Sequence, residues 1–458
     1  MATVNEITTE LRTLRALMSG SVFTASDEGW DDARHAWNLA ADQHPAAVVF
    51  PENESDVAFA IAFAREAGLR VSVQGTGHNP LPLGDMSGSL LIRTTRMNAV
   101  EIDPYARRAR VQPGTIWRDV AIPANEHGLA ALVGSSPDVG ITGYSLGGGI
   151  GYIGRKHGIQ TNSVTAIELV TADGEHVRVD ADHDPGLFWA LRGGGGNFGV
   201  VTALEFKLYP VEALYGGMMA WPWEQSQAVI ERWAEWTRTA PDEVTSMARM
   251  MQLPPLEAVP EMLRGRQLVV ISAAYLGDQE SGERLLAPIR ELGPEIDMFG
   301  PMPPVGLSYL HGDPEEPVPV VSDTTMLDRL PADAIETFVT TAGPGSGSSL
   351  LMAELRQMGG AFGRAEEGHG ALAKIDAEFV AFAGGMAIDA ESTAKVARDG
   401  AELMKAMRPY GSGRNYLNFA ENAVDPATGY PADVYSRLQA IRAQVDPTGV
   451  FRANHSIG

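Results

Sequence analysis

The sequence predicts an α+β fold of two units and a returning tail, on three observations. An apolar strand, an amphipathic helix and a second strand follow one another from Pro45 to Val73 and deliver a glycine-rich loop. Short apolar runs broken by Asp-Pro, Pro-Gly and Asp-Gly turns then continue to about residue 211. From about 213 the texture changes to strands such as RQLVVISAAYLG, alternating with longer helices up to Met407. These shifts set boundaries of 1–212, with 40–211 as its core, then 213–408, then a tail of 409–458 that packs back on the first unit.

In chain order, AAVVF is a strand closed by Pro51. The helix after it keeps Val57, Ile61 and Ala64 on one face and stops at Gly68, and residues 69–73 form the next strand. SLLIRTTRMNAVEIDPYARRARVQPG is predicted as strands and turns, because Asp103-Pro104 and Pro113-Gly114 interrupt it. WRDVAIPANEHGLAA is a helix interrupted at Pro123. SVTAIELVTADGEHVRVD is a hairpin across Asp173-Gly174, and FGVVTALEFKLYPV is the strand that closes the unit. Trp221, Trp223, Trp233 and Trp236 near the next helix are packing residues. The Gly/Ser-rich loop 342–349 precedes LLMAELRQMGGAFGR, whose alternation sets Met352, Glu354, Arg356 and Met358 on one strand face. The tail carries one helix, about 433–444.

Composition excludes several classes. The 458 residues, 44% hydrophobic and 20% charged, can bury a large core and a large cofactor. With 35 basic against 58 acidic residues the net charge is -23, which repels polyanions and argues against nucleic acid or an anionic membrane as partner. Cysteine is absent, so disulfides, thiolate metal sites and cysteine nucleophiles are excluded, and redox chemistry falls to a bound cofactor. The first twenty residues carry Glu6, Glu10, Arg12 and Arg15 instead of an apolar signal core, which gives a cytoplasmic location as the expectation. No metal is expected. The histidines lack zinc spacing, and DADHDPG at 180–186 has Pro185 where a calcium loop needs glycine and Leu191 where it needs glutamate.

Two glycine-dense segments carry the chemistry: VSVQGTGHNP at 71–80 and DVGITGYSLGGGIGYIGRKHG at 138–158. Gly75, Gly77, Gly143, Gly147, Gly148, Gly149 and Gly151 remove side chains where backbone must approach a phosphate or a flat ring, and their amides can cradle a pyrophosphate. Neither segment has the dinucleotide spacing that is followed by an acidic ribose ligand. His78 directly follows the first loop, where a neutral imidazole nitrogen could add to an activated ring methyl. The pattern points to a tightly held flavin, FAD.

Together with FWALRGGGGNFGVVTALEFKLYP at 188–210, NYLNF and DPTGVFRANHSI, these segments resemble, in order and over nearly the whole chain, the vanillyl-alcohol oxidase and p-cresol methylhydroxylase flavoprotein superfamily, in its berberine-bridge-enzyme-like branch. The resemblance implies a two-part FAD-binding domain of p-cresol methylhydroxylase type and an α/β substrate domain whose antiparallel sheet is covered by helices. It implies FAD bonded through its 8α-methyl carbon to His78, with Gln74, Gly75, Thr76, Gly77 and Asn79 around that link. From the second segment it implies contacts by Ser136, Val139, Gly140, Thr142, Gly143, Gly147, Gly148, Gly151 and Gly158; further on, by Asn197, Gly199, Val200, Tyr416 and Asn418. Ser136 stands where doubly linked members carry cysteine, so a second link is impossible. Gln74 and Thr76 replace the family's usual Arg and Gly, and Ile150 replaces a frequent Tyr. Val139 aligns with the oxygen gatekeeper, where valine resembles the oxidases and leucine the dehydrogenases.

Hydride transfer from an alcohol or amine carbon is easier as the attached proton leaves, so a base is needed beside the flavin. Tyr416 and Asn418, aimed alike by strand alternation, are the first candidates, and Tyr144 and Tyr152 the second. A free phenol has a pKa of roughly 10 and needs a cation such as Arg356 or Lys156 to act as base. Glu354 and Arg356 are candidate substrate contacts, or else a salt-bridged surface pair. The expected activity is that of an FAD-dependent oxidase, removing hydride from an alcohol, sugar or amine carbon of a small molecule and reducing molecular oxygen to hydrogen peroxide. A dehydrogenase with another acceptor and a non-catalytic flavin-containing binding protein remain as alternatives. The sequence leaves the oligomeric state unknown.

Overall fold

The computed structural model describes residues 4–257 and 259–458, with side chains from Leu11 onward. The start of the 1–212 unit, residues 1–3, therefore lies outside the described residues. The strands Ala47–Phe50 and Arg70–Gln74 flank the helix Glu54–Ala67, which Asn53 caps by accepting from the Asp56 amide at 3.0 Å and Gly68 ends in the left-handed region. These two strands are not neighbours. Ser89–Arg93 lies between them, parallel to both, because its Leu90, Leu91 and Ile92 are apolar on both faces and claim the fully buried centre of a four-stranded sheet.

A second, five-stranded antiparallel sheet follows, in the order Val100–Asp103, Arg108–Val111, Val200–Lys207, Val164–Val170, His176–Asp180. Its hairpin turns at Asp173-Gly174 with Gly174 at φ 90°, as predicted. The strand expected to close the unit, Val200–Lys207, instead occupies the middle of the sheet, since nearly all its side chains are buried. The helix Trp117–Asn125 runs through Pro123 without interruption. Proline there falls in the last turn, where the helix is ending anyway.

Seven strands of the next sheet run in the order Ile296–Asp297, Tyr215–Pro222, Gln267–Tyr275, Val244–Gln252, Met352–Gln357, Phe379–Met386, Val320–Leu327, all antiparallel, and Gly300–Pro301 adds to Tyr215–Pro222. Helices Ser226–Thr237, Gln279–Arg290, Ala332–Ala342 and Ala390–Met407 cover one face. Trp221, Trp233, Ala353, Leu355, Ala381 and Ala383 belong to the core beneath them. Strand alternation turns Met352, Phe382 and Gly384 to the other face, toward the cavity described below. In the tail, the helix Ala432–Val445 packs on the helix Pro185–Leu191, and Phe451 pairs with Val71 in a parallel bridge. Among the described residues no helix is long and apolar enough to cross a membrane.

Candidate active site

A cavity of about 500 Å³ opens between the two glycine segments, the uncovered sheet face and the tail. Gly77 sits at φ +89°, and a Cβ there would meet Gln74 Nε2 at 2.8 Å and the Ala36 Cβ at 2.9 Å, so only glycine allows the turn that aims His78 inward. The second segment is not loop throughout. Ile141–Gly147 is a short helix, after which Gly148 at φ 141° and Gly149 at φ 95° reverse the chain. A Cβ on Gly147 would lie 1.9 Å from Asn418 Oδ1, so its absence lets the tail close over the glycine wall.

His78 stacks on the Trp37 indole, with centroids 4.0 Å apart and planes at 25°, and its Nε2 lies 3.5 Å from Asp138 Oδ1. Ser136 Oγ donates to that same Asp138 oxygen at 2.6 Å. Burial pushes the His78 imidazole below its ordinary value, with the Asp138 carboxylate opposing, so the ring is neutral at pH 7 and its Nε2 carries no hydrogen bond. Sequence reading missed Asp138 and Trp37. Asp138 passed as the first residue of a loop, and Trp37 is forty-one positions away from the histidine it stacks on.

The cavity wall fits a large polar and aromatic ligand. Gln74, Asn79, Thr142 and His78 line it, and Gln74 Nε2 and Oε1, Asn79 Oδ1, Thr142 Oγ1 and His78 Nε2 are buried without a hydrogen-bond partner among the described residues. Such a concentration of unpaired polar atoms is costly unless a bound group completes it. Gly75, Thr76, Ser136, Val139, Gly140, Gly143, Gly147 and Gly199 share the wall, with Asn197 beside them. The Asn197 side chain is fully used: it donates to Gly194 O and His455 O and accepts from Ile457 N and Arg442, tying the tail to this wall.

Four expected contacts stand off the cavity. Gly148 lies behind the Tyr416 ring, Gly151 has room for no Cβ because Val133 O would be 1.8 Å away, Gly158 ends a short helix by bonding Gly154 O, and Val200 pairs with Val170 in the sheet core. Their glycine or β-branched character serves chain packing.

The proposed bases also separate. Tyr416 and Asn418 both line the cavity. The Tyr416 oxygen accepts from the Gly149 amide at 2.7 Å and faces Asn418 Nδ2 at 3.4 Å; burial pushes its pKa up to about 12, so it is a donor and not a proton acceptor at neutral pH. Tyr144 lines the cavity but donates to Leu132 O at 3.0 Å, and burial raises it well above the ordinary phenol value. Tyr152 is off the cavity, in the core, with its hydroxyl 3.0 Å from Ser272 Oγ; burial raises its pKa too. Lys156 pairs with Glu243 at 2.7 Å on the surface and assists neither.

Glu354 and Arg356 are buried, not a surface pair. Arg356 Nε donates to Glu354 Oε1 at 2.8 Å, His311 Nε2 meets Glu354 Oε2 at 2.7 Å, and His311 Nδ1 meets Asp313 Oδ1 at 2.5 Å. Arg356, His311 and Asp313 line the cavity while Glu354 lies behind them. Burial alone would raise the Glu354 pKa, but Arg356 and His311 outweigh it and hold the carboxyl well below the usual range. Arg356 also sits 5.1 Å over the Phe419 ring. His311 and Asp313 come from a Pro-rich connection that offers no sequence motif.

Residues 45–180 match the FAD binding domain family, and residues 415–458 the berberine and berberine-like family. The chain is 29% identical to (R)-6-hydroxynicotine oxidase of Paenarthrobacter nicotinovorans over 96% of this chain and 97% of that protein. Among solved structures it is similar to 6-hydroxy-D-nicotine oxidase from Arthrobacter nicotinovorans, with a TM-score of 0.83, 27% identity, and 96% and 98% of the two chains covered. Glucooligosaccharide oxidase from Acremonium strictum, a 6-S-cysteinyl, 8α-N1-histidyl FAD protein, shares the fold with a TM-score of 0.82 at 24% identity, over 98% of each chain. The two glycine walls, the tail that closes over them and the helix-backed sheet have one common explanation: this chain belongs to the vanillyl-alcohol oxidase and p-cresol methylhydroxylase flavoprotein superfamily, in its berberine-bridge-enzyme-like branch.

Proposed function

We propose that the protein is an FAD-dependent oxidase that dehydrogenates an alcohol or amine carbon of a small, partly apolar molecule and passes the electrons to molecular oxygen. The observation that carries this reading is the ring of unpaired buried polar atoms at Gln74, Asn79, Thr142 and His78 around a glycine-walled cavity. When bound, FAD supplies the acceptor for the substrate hydride and returns two electrons to oxygen.

The chain's own residues do the rest. His78, neutral and held flat by Trp37, offers Nε2 as the attachment nitrogen, and Asp138 is placed to stabilise the charge the ring gains as it bonds. Ser136 rather than cysteine at the neighbouring position restricts attachment to this one link. Tyr416, fixed through its oxygen by the Gly149 amide, directs its O–H to a substrate oxygen or nitrogen. Val139 lines the wall at the position that the resemblance gives to the oxygen gatekeeper, where valine matches the oxidases. Val320, Val321, Met352, Phe382 and Met386 form an apolar floor, which suits an aromatic or alicyclic substrate better than a long sugar chain.

Anaerobic mixing with alcohols, aromatic amines and sugars tests the reading. Members of the first two groups should bleach the flavin absorbance and sugars should bleach it less, with rapid recolouring and peroxide release on admitting air. Bleaching by none of them contradicts an oxidase, and recolouring over many minutes contradicts oxygen as the acceptor.

A further inference from the structure

The oxidation just proposed releases a proton, and the groups expected to take it are unsuited. The Tyr416 phenol is too weak an acid to serve, the Tyr144 hydroxyl is spent on Leu132 O, and Asp313 is bound to His311. Both nitrogens of His311 face carboxylates, and His455 Nε2 is bonded to Ala420 O at 3.0 Å. Among the described residues one acid group on the wall has no ionic partner. Glu421, three residues beyond Asn418, lines the cavity with its Oε2 buried and without a hydrogen-bond partner.

Resting on the oxidase reading, we infer that Glu421 is the proton acceptor of the reaction. Its position follows from the fold. The tail segment that carries Tyr416 and Asn418 continues past Phe419, whose ring stands edge-on to Phe382 at 5.7 Å, and brings Glu421 against Ser322 of the strand Val320–Leu327. Asn422 secures the turn by donating to Ser322 O at 3.3 Å. Val320 and Phe382, on the sheet face that Ser322 shares, and Phe419 from the tail line the same cavity and are apolar.

In the step, the substrate C–H bond breaks with its electron pair, which leaves as hydride to FAD. The O–H or N–H bond breaks toward Glu421, which becomes a carboxylic acid, and a C=O or C=N bond remains. Burial pushes the Glu421 pKa up to about 7, with the Ser322 hydroxyl and amide opposing, so the group can both accept and release a proton near neutral pH. The charged and titratable groups sharing its cavity are Arg356, His311 and Asp313 on the sheet side, His78 and Tyr144 on the glycine wall, and Tyr416, Tyr430, Arg452 and His455 from the tail. Asp323, the next residue along the strand, faces the opposite way, toward Gly400 of the covering helix.

The test compares wild type with Glu421→Gln and Ser322→Ala, using FAD absorbance and melting temperature to confirm folding. Infrared difference spectra should show a protonated carboxyl that ionises with a midpoint near pH 7 in wild type and is missing in Glu421→Gln. Anaerobic bleaching by benzyl alcohol and benzylamine should rise with pH through that midpoint. In Glu421→Gln it should fall about 100-fold or more and lose the pH dependence. Ser322→Ala, which removes a group that lowers the carboxyl's pKa, should move the midpoint upward, and it decides the matter if Glu421→Gln does not fold. Wild type that bleaches while Glu421→Gln bleaches within about threefold of it, with the same pH profile, overturns the assignment. A carboxyl that shows no titration near neutrality overturns it as well. Wild-type protein that binds FAD but bleaches with neither probe nor any member of the wider panel overturns the oxidase reading, and this inference with it.

Discussion

The two walls of the cavity are built on opposite principles. The glycine wall is mostly backbone, and Gln74, His78, Asn79 and Thr142 on it each keep at least one buried side-chain atom without a hydrogen-bond partner. On the sheet wall the charges are dense and linked to one another, from Arg249, which donates to His311 O at 2.7 Å but keeps its Nε without a partner, through His311 and Glu354 to Arg356. An unsatisfied buried wall has little reason to exist without a ligand, whereas a satisfied one holds its shape without help. The cofactor side therefore depends on what it binds, and the substrate side is largely a preformed frame, with Arg249 Nε, Ser322 Oγ and Glu421 Oε2 left open.

The largest effect that distinguishes the walls is on stability. Glu354→Ala leaves the buried Arg356 without its carboxylate and His311 with only Asp313, and should lower the unfolding free energy by about 3–5 kcal/mol, measured by denaturant titration with FAD saturating. A loss below about 1 kcal/mol would show that the frame is not self-sustaining. The same carboxyl has a pH signature. Because its folded pKa is depressed, its contribution is complete above the unfolded value of about 4.3 and is lost as pH falls through the folded value. Wild type should accordingly lose stability in acid more steeply than Glu354→Gln.

A smaller effect is expected where the walls meet. Tyr416→Phe strands the Gly149 amide, at a cost of about 1–3 kcal/mol, and should slow anaerobic bleaching without moving its pH midpoint. A shifted midpoint would return the proton to the phenol. Smallest is Tyr144→Phe, which gives up one neutral hydrogen bond to Leu132 O, worth about 1 kcal/mol, and should leave the bleaching rate within about twofold.

The same contrast explains what the sequence disclosed. Residues 74–79 and 136–147 are local, and glycine at fixed spacing is a direct statement about backbone, so the cofactor wall was legible. Gly148, Gly151, Gly158 and Val200 stand off the cavity, because a glycine or valine needed for chain packing looks the same in sequence as one needed for a ligand. The other wall gathers residues 311 and 313 from a connection, 354 and 356 from a strand and 421 from the tail, across more than a hundred positions. Nothing in their immediate neighbours announces that they meet. Alternation did place Glu354 and Arg356 on one strand face, but only the fold shows that this face is buried. The central place of Val200–Lys207 was likewise decided by tertiary packing.

The most direct measurement is the absorption spectrum of the purified protein before and after acid precipitation, run beside His78→Ala. A flavin spectrum in native protein is expected, with the colour staying in the wild-type pellet and passing to the supernatant in the variant. Colour released equally from both would refute attachment at His78, and a colourless protein that takes up no added FAD would contradict the cavity's assignment altogether.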